Sequence, residues 1–320
     1  IYCRGLMFEY NYNRKNKGMY VNLPLQLTFD YEFHDAVSEM IDKCLLNNEN
    51  DVKCVYVTCD HDSKYDKMSM AYLLNVLRYI MIFKDVKWHF HVANIIAPTV
   101  HVQDGAKFRE VNFDEELQKN KLIYYDFHGD KNVQKPVDEM AKLLVEKNLT
   151  INSETVKEFL STTIGEIFSN SINHSEQDEI FFMYDISFED GDFYLCINVI
   201  DYGSTIVANV KKYLAMEYMG LNGTDCIRWA IKSGNTIRLG SGGYGLPTLI
   251  SYIKSTGGEL YILSGEANYK LSAGIEEVLL SKGVFCGTSI TFKVKLYDTG
   301  RIIKYDKKSE KIESISLDSI

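Results

Sequence analysis

The sequence predicts an α/β protein with two domains, and three observations lead to this prediction. The length of 320 residues is enough for about two domains of ordinary size. In the first part of the chain, segments with strand periodicity alternate with segments of helical periodicity. In the second part, a hairpin pattern, a glycine-rich loop before a helix and a strand pattern follow one another. We place the domain boundary near Lys135, which gives domains at 1–135 and 136–300 and a C-terminal tail at 301–320.

The composition excludes several classes of protein. With 46% hydrophobic and 25% charged residues, the chain has the composition of a soluble globular protein. The net charge of -9 argues against nonspecific binding to nucleic acid or to an anionic membrane. No segment approaches the roughly 20 apolar residues that a membrane helix needs. The seven cysteines include no CxxC pair, which favours free thiols in a reducing compartment. We therefore predict a cytoplasmic protein without a nucleic-acid or membrane partner.

The first predicted domain alternates strands and helices. Residues 19–29, 52–59 and 88–96 have strand patterns, and residues 31–46 and 70–83 have helical periodicity. This alternation predicts an α/β layer with parallel strand pairing. Together with the acidic, serine-containing loop before the second helix, the order resembles the STAS-like fold of anti-sigma-factor antagonists. The resemblance covers roughly residues 17–135.

Polar residues in the first domain have a functional and a structural interpretation. Ser63 and Ser69 stand near the place where STAS-like domains can carry a phosphorylated residue, and a solvated turn is the alternative. His89 and His91 alternate on one strand face like metal ligands, but no further ligand at suitable spacing accompanies them. His34 lacks the two-helix hairpin that the phosphoacceptor of a histidine kinase needs. We therefore place no metal site and no phosphoacceptor at these histidines.

The second domain is organised around a helix predicted at residues 152–176. Its apolar side repeats at steps of three and four residues and consists of Val156, Phe159, Leu160, Thr163, Ile167 and Ile172. Beside it, Glu166, Asn170, Asn173 and His174 fall at i, i+4, i+7 and i+8. One stripe of the helix thus presents a carboxylate, two amides and an imidazole, which suggests the floor of a cleft. A solvated helix face is the alternative for this stripe taken by itself.

A hairpin pattern follows this helix. Residues 179–187 and 192–200 alternate as strands, and an Asp-Gly pair between them is a strong turn signal. The second strand leads to Asp201, which opens the sequence D-Y-G. Gly203 permits a sharp turn of the backbone beside a ligand. A carboxylate at this place could accept a proton from an exocyclic amine.

A glycine-rich loop precedes the next predicted helix, at residues 246–256. Its glycines are Gly240, Gly242, Gly243 and Gly245, and Pro247 stands in the first helical turn, where proline is tolerated. Unobstructed N–H groups at the positive end of a helix suit phosphate oxygens. A structural turn is the alternative, because the loop matches neither the Walker pattern nor the dinucleotide fingerprint.

Four motifs now stand in a fixed order. They are E-x-x-x-N-x-x-N-H on a helix, D-x-G after a hairpin, GSGGYGL before a helix, and GTSITF on a strand. This combination resembles the GHKL ATPases, a superfamily that includes histidine-kinase catalytic domains, anti-sigma-factor serine kinases, mismatch-repair ATPases and the ninety-kilodalton heat-shock chaperone. The resemblance covers about residues 150–298. It implies an α/β sandwich whose mixed sheet carries helices on one face, with ATP and Mg²⁺ as ligands.

The resemblance also implies roles for single residues. Asn170 matches the asparagine that holds the magnesium ion, and Glu166 matches the general base that activates water or a hydroxyl. Asp201 matches the aspartate that recognises adenine, and Gly203 lets the chain pass the base. Thr288 matches the threonine that forms a hydrogen bond near the adenine.

Further positions complete the implied nucleotide site. The second glycine box, whose backbone N–H groups would hold the phosphates, corresponds to Gly242, Gly243, Tyr244, Gly245 and Leu246. Asn173 and His174 match variable polar positions near the phosphates, although His174 could instead be a packed, hydrogen-bonded residue. Residues 206–242 would form a lid. Thr205 stands where the family commonly has a second glycine, and a β-branched residue disfavours positive φ, so this turn is expected to differ.

These motifs predict a regulatory switch that binds Mg-ATP and either hydrolyses it or phosphorylates a serine or threonine of a protein. An ATP-gated interaction module without significant turnover is the alternative. A histidine kinase is the least favoured of the three, because the sequence has no acceptor hairpin. We expect an unidentified protein partner or substrate, and a homodimer stays open.

Overall fold

A computed structural model describes fourteen segments of the chain, and the account below refers to them. These segments are residues 8–24, 26–46, 51–59, 64–65, 67–84, 86–92, 123–126, 134–147, 149–150, 164–171, 180–189, 191–214, 220–237 and 243–298. The chain is mixed α/β, as the sequence predicts. It divides into two compact units, one formed by residues 1–122 with 281–285 and one formed by residues 123–280 with 286–320. Within the described segments, no helix is long and apolar enough to cross a membrane.

The first unit contains a sheet with parallel strands. Its described strands are β1 (Glu9–Asn13), β2 (Gly18–Asn22), β3 (Gln26–Leu27), β4 (Cys54–Cys59), β5 (Lys64–Tyr65) and β6 (Lys87–Val92). Its described helices are α1 (Tyr31–Ile41), followed by a π-helical turn (Asp42–Leu46), and α2 (Lys67–Lys84). The strand order is β1-β2-β4-β6, and β4 pairs in parallel with both β2 and β6, which confirms the predicted parallel pairing. The antiparallel edge strand β1 was not predicted, because its sequence EYNYN has few apolar residues.

Two polar candidates of the first unit lie in its interior. Ser69 is fully buried in α2, so its hydroxyl is not accessible to a protein kinase, and Ser63 lies outside the described residues. His34 is also buried and packs against the rings of Phe29 and Tyr72. Burial lowers the pKa of His34 to about 4, so its ring is neutral near pH 7.

The second unit contains the larger sheet. Its described strands are β7 (Ile123–Asp126), β8 (Leu149–Thr150), β9 (Ile180–Glu189), β10 (Asp192–Tyr202), β11 (Glu259–Ser272) and β12 (Ile275–Asp298). Its described helices are α3 (Gln134–Glu146), α4 (164–171), α5 (Ile206–Leu214), α6 (Gly223–Ala230) and α7 (Gly245–Thr256). The strand order is β11-β12-β10-β9-β7, and β8 pairs with β12. Strand β7 precedes the predicted boundary near Lys135 yet belongs to this sheet.

The prediction of a mixed sheet in the second domain is wrong for these strand pairs. β10 runs antiparallel to β9 and to β12, β7 runs antiparallel to β9, and β8 runs antiparallel to β12. For strands that follow each other directly, the reason lies in the short connections. Gly191, with φ of 90°, closes a tight turn between β9 and β10, and Ala273 and Gly274, both with positive φ, join β11 to β12. Parallel neighbours would need a long crossover in place of these turns.

The described helices share one apolar core with one face of this sheet, as predicted. Alternate residues of the strands point into the core, such as Phe182 and Tyr184 on β9 and Ile197 on β10. Helical residues such as Phe168 and Ile253 meet them there. The polar residues that the sequence singled out, such as Asp201 near the end of β10, lie where this packed layer ends.

The segment predicted as a lid, residues 206–242, contains two helices. Helices α5 and α6 occupy residues 206–214 and 223–230, and they bury Val210 and Ile227 in the core. Asn222 and Asp225 form a capping box that fixes the start of α6.

Candidate functional site

A cavity of about 250 Å³ lies in the second unit. It is enclosed by α4, the end of β10, α5, α6, the N-terminus of α7 and β12. Eight residues that the sequence singled out line it: Glu166, Asn170, Asp201, Gly243, Tyr244, Gly245, Leu246 and Thr288. Three others, Asn173, His174 and Gly242, lie outside the described residues. Gly203 is not part of the lining; its N–H donates to the carbonyl of Cys286 at 3.1 Å and fixes the chain just after β10.

Asp201 is the least exposed of the described polar residues that line the cavity. It is only 4% exposed, and it accepts hydrogen bonds from the Ser171 hydroxyl and the Thr288 N–H. Its Oδ1 atom is buried and has no hydrogen-bond partner among the described residues. Burial raises the pKa of Asp201 to about 7, although both hydrogen bonds act in the opposite direction. Because a buried polar atom without a partner is costly, this oxygen calls for an N–H or O–H donor from a ligand.

Sequence reasoning missed Ser171. The residue follows Asn170 on α4 and is only 5% exposed. Its position is part of the buried face of the helix, because it is spaced i+7, i+4 and i+3 from Ile164, Ile167 and Phe168. A serine on an apolar helix face directly after the polar stripe was the signal that could have identified it.

The positions of Asp201 and Thr288 depend on a close approach of two strands. These residues are cross-strand partners on β10 and β12. A Cβ atom at the neighbouring Gly287 would lie 2.0 Å from the carbonyl oxygen of Asp201, and the φ of Gly287 is +157°. Only glycine fits this contact, which explains why the GTSITF motif begins with glycine.

The glycine loop approaches the polar stripe of α4. A Cβ atom at Gly245 would lie 3.0 Å from Glu166 Oε2 and 3.7 Å from Asn170 Nδ2. Gly243 has φ of +80°, and a Cβ atom there would lie 2.2 Å from the carbonyl oxygen of Asn235. The N-terminus of α7 therefore faces the carboxylate and amide of α4 across a very short distance, and glycine makes that distance possible.

The N-terminus of α7 is not capped by the side chain of its N-cap residue. Tyr244 occupies the N-cap position, and its side chain makes no capping hydrogen bond. The backbone N–H groups of the first helical turn have no partner within the helix. Together with the positive end of the helix dipole, such groups attract phosphate or carboxylate oxygens.

The described walls of the cavity are largely apolar. Apolar lining is contributed by Ile167, Ile206, Val210, Trp229, Ile237, Leu246 and Ile290. Among the described lining residues there is no Lys, Arg or His, and the acids are Glu166 and Asp201. Within this part of the lining, backbone N–H groups are the donors that could meet a polyanionic ligand, and a bound cation could balance its charge.

Thr205 caps the start of α5 with its side chain. Its Oγ1 accepts the N–H of Ala208 at 2.9 Å, so it caps α5 instead of adopting a glycine conformation. With this cap, α5 begins at Ile206. Sequence reasoning also missed Ser204 and Asn209, which line the cavity and are joined by a hydrogen bond of 2.9 Å.

The residues present fit a magnesium ion held mainly by a ligand. Among the described residues, no group of three or more His, Cys, Asp or Glu side chains could hold a metal ion. Magnesium, however, commonly takes one or two protein oxygens and completes its shell with water and phosphate. The half-buried Asn170 lines the cavity beside the N-terminus of α7 and could supply such an oxygen.

Comparisons with known proteins do not assign a family or a function to this chain. Neither the protein-family models nor the curated proteins contain a match to this chain. The chemistry of the cavity therefore has to be inferred from its own residues.

Proposed function

We propose that the cavity of the second unit binds Mg-ATP and that the protein is a regulatory switch of the GHKL type. The observation that carries this proposal is the unpaired Oδ1 of Asp201 at the buried end of the cavity. The 6-amino group of adenine supplies the N–H donor that this oxygen lacks. The apolar walls formed by residues such as Trp229 and Ile290 suit the two faces of a purine.

The opposite end of the cavity suits the phosphates. There the uncapped N-terminus of α7 presents backbone N–H groups, and Asn170 lies beside it. When bound, magnesium offsets the negative charge that develops on the transferring phosphoryl group. Since the described part of the lining has no basic side chain, we expect nucleotide affinity to depend strongly on magnesium.

Glu166 is the candidate general base. Its side chain is exposed and lies next to the α-carbon of Gly245, where the terminal phosphate would reach the helix N-terminus. In the proposed reaction, Glu166 takes a proton from water or from a protein hydroxyl. The oxygen of that group forms a bond to the γ-phosphorus, and the bond between this phosphorus and the β–γ bridging oxygen breaks. ADP leaves with the electron pair, and the N–H groups of α7 stabilise the charge on the transferred group.

Labelled ATP tests the proposal directly. The purified protein is incubated with γ-labelled ATP and magnesium, with and without candidate partner proteins, and the label is followed into free phosphate or protein. We expect Asp201→Asn to weaken nucleotide binding by at least roughly tenfold, because it replaces the charged acceptor with an amide. Glu166→Ala should retain binding and lose turnover by roughly 100-fold or more.

The same change of acid to amide at an exposed site is the control. Asp138 lies exposed on α3 and does not line the cavity, so Asp138→Asn should bind and turn over ATP like the wild type. Wild-type binding without phosphate release or labelled protein would favour the ATP-gated interaction module. If the wild type binds no nucleotide, or if Asp201→Asn binds it equally well, the ATP site is refuted.

A further inference from the structure

A pair of polar side chains at the start of α5 lines the cavity without a role in the proposed function. Ser204 and Asn209 are both half-buried there, and the Ser204 hydroxyl donates to the side-chain oxygen of Asn209 at 2.9 Å. The groups proposed to meet the adenine and the phosphates lie elsewhere, on α4, β10, β12 and the N-terminus of α7. The pair is therefore a third polar group of the cavity, and it needs a ligand group of its own.

The backbone on both sides of Ser204 is held by hydrogen bonds to other strands. Before it, the Gly203 N–H donates to the carbonyl of Cys286 at 3.1 Å. After it, the N–H of Ile206 donates to the hydroxyl of Ser264, which is fully buried on β11, at 2.8 Å. The segment that carries the pair is thus ordered before a ligand arrives, so binding costs little ordering entropy at this place.

The single proton of the Ser204 hydroxyl is used within the protein. A serine hydroxyl has one donor and two acceptor sites. Because Ser204 donates its proton to Asn209, it offers only acceptor lone pairs to the cavity. Ionised phosphate oxygens are acceptors as well, so they are poor partners for this hydroxyl. Ser204 therefore suits a ligand group that donates a hydrogen bond, such as a hydroxyl or an amine.

The surroundings of the pair favour a neutral hydroxyl over a charged amine. Ile206 and Val210 line the cavity beside Asn209, and the spacing i, i+3, i+4 places the three residues on one side of α5. The sequence of α5, IVANVKKYL, contains no acidic residue that would pair with an ammonium group. Apolar side chains next to a single acceptor fit the C–H and O–H groups of a sugar.

We propose that Ser204 accepts a hydrogen bond from the ribose 2′-hydroxyl of the nucleotide, and that Asn209 is a positioning residue that keeps Ser204 an acceptor. This inference rests on the proposed function and deepens it, because it makes the site selective for ribonucleotides over deoxyribonucleotides. The 2′-hydroxyl is on the sugar carbon next to the one that carries the base. Ser204 is three residues from Asp201, so at most about 11 Å separates their α-carbons, which is within reach of a sugar whose base binds at Asp201.

Removing the hydroxyl from the ligand and from the protein in turn tests this contact. Affinities for Mg-ADP and for its 2′-deoxy analogue are measured with the wild type, Ser204→Ala and Asn209→Ala. We expect the wild type to prefer ADP about three- to tenfold. Ser204→Ala should bind both nucleotides equally within about twofold and bind the 2′-deoxy analogue like the wild type. Asn209→Ala should reduce the preference for ADP at least about twofold, because the Ser204 hydroxyl can then rotate.

Two further variants and a second analogue serve as controls. Ser204→Cys keeps the size of the side chain but is a weak hydrogen-bonding group, so it should also lose the preference if the alanine variant folds poorly. Ser187 donates to Glu189 at 2.7 Å and does not line the cavity, so Ser187→Ala should keep the wild-type preference. The wild type should bind 3′-deoxy-ADP like ADP, and a loss with this analogue but not with the 2′-deoxy analogue would contradict the assigned hydroxyl.

The same titrations distinguish failure of this inference from failure of the ATP site. If the wild type binds ADP and the 2′-deoxy analogue equally well, the 2′-hydroxyl is not recognised, although the ATP site stands. If Ser204→Ala keeps the full preference for ADP, another group recognises the hydroxyl, and the role of Ser204 is refuted. If the wild type binds neither nucleotide, the ATP site is refuted and this inference with it.

Discussion

The two ends of the cavity are built differently. At the inner end, Asp201 and Thr288 are 4% and 7% exposed, and buried hydrogen bonds from neighbouring elements hold them in place. At the outer end, Glu166 is exposed, Tyr244 is 60% exposed, and the N-terminus of α7 has no side-chain cap. The inner end is organised before any ligand arrives, whereas the outer end leaves its N–H groups for a ligand to complete. Changes at the inner end should therefore have the larger effects.

The largest effect is expected from Gly287→Ala. Its Cβ would meet the carbonyl oxygen of Asp201 at 2.0 Å, and its φ of +157° is unfavourable for alanine. The strands would have to separate at the cavity, so we expect the free energy of unfolding to fall by roughly 3 kcal/mol or more and nucleotide binding to be lost. Urea unfolding and ADP titration measure the two effects.

Gly220 provides the comparison for this substitution. It also has positive φ, +107°, but a Cβ atom there would meet no neighbour within 4 Å. Gly220→Ala should therefore cost only about 1 kcal/mol and leave binding intact. If both variants lose similar amounts of unfolding free energy and of nucleotide affinity, the backbone conformation at Gly287, and not the close approach of the strands, causes the loss.

The next largest effect concerns pH. Burial raises the pKa of Asp201 to about 7 from an ordinary value of 3.8. Between these two pH values, the ligand-free folded protein therefore keeps a proton on Asp201 that the unfolded chain releases. The resulting stability is fully present below pH about 4 and is lost as the pH rises through about 7. Adenine binding should change in the opposite direction, because the ionised carboxylate is the better acceptor, and affinity should fall up to about tenfold per pH unit below pH 7.

Asp201→Asn supplies the reference for both pH curves. Differences between wild type and variant remove the titration of the nucleotide phosphates and of other side chains. Unfolding by urea and ADP binding would each be measured from pH 5 to 8. Parallel curves for wild type and Asp201→Asn would contradict a raised pKa at this carboxyl.

The smallest effect is expected at the outer end, from Tyr244→Ala. The side chain is largely exposed and does not cap α7, while the backbone N–H groups that would meet the phosphates are retained. We expect ADP affinity to change less than about threefold, with unchanged stability. A loss as large as that in Asp201→Asn would mean that the phenol itself contacts the ligand and that the outer end is not mainly a backbone site.

The sequence allowed many elements and site residues to be predicted. Period-two and helical patterns located β4, β6, β9, β10, α2 and α7, and the Asp-Gly pair located the hairpin turn. Polar residues at helical spacing and the glycine loop identified much of the cavity lining. Edge strand β1 was missed because its sequence is polar.

Local patterns by themselves determined the order of elements and the residues that carry chemistry, since periodicity, caps and turns act over a few neighbouring positions. Tertiary structure alone decided which of these residues meet. The antiparallel sheet brings Asp201 opposite Thr288, and Gly245 lies against Glu166 because glycine has no Cβ atom that would meet the carboxylate. The role of Ser171, which is buried and hydrogen-bonded to Asp201, became visible only in the tertiary structure. A serine on an apolar face gains its role from partners that are distant in sequence, and no local pattern encodes them.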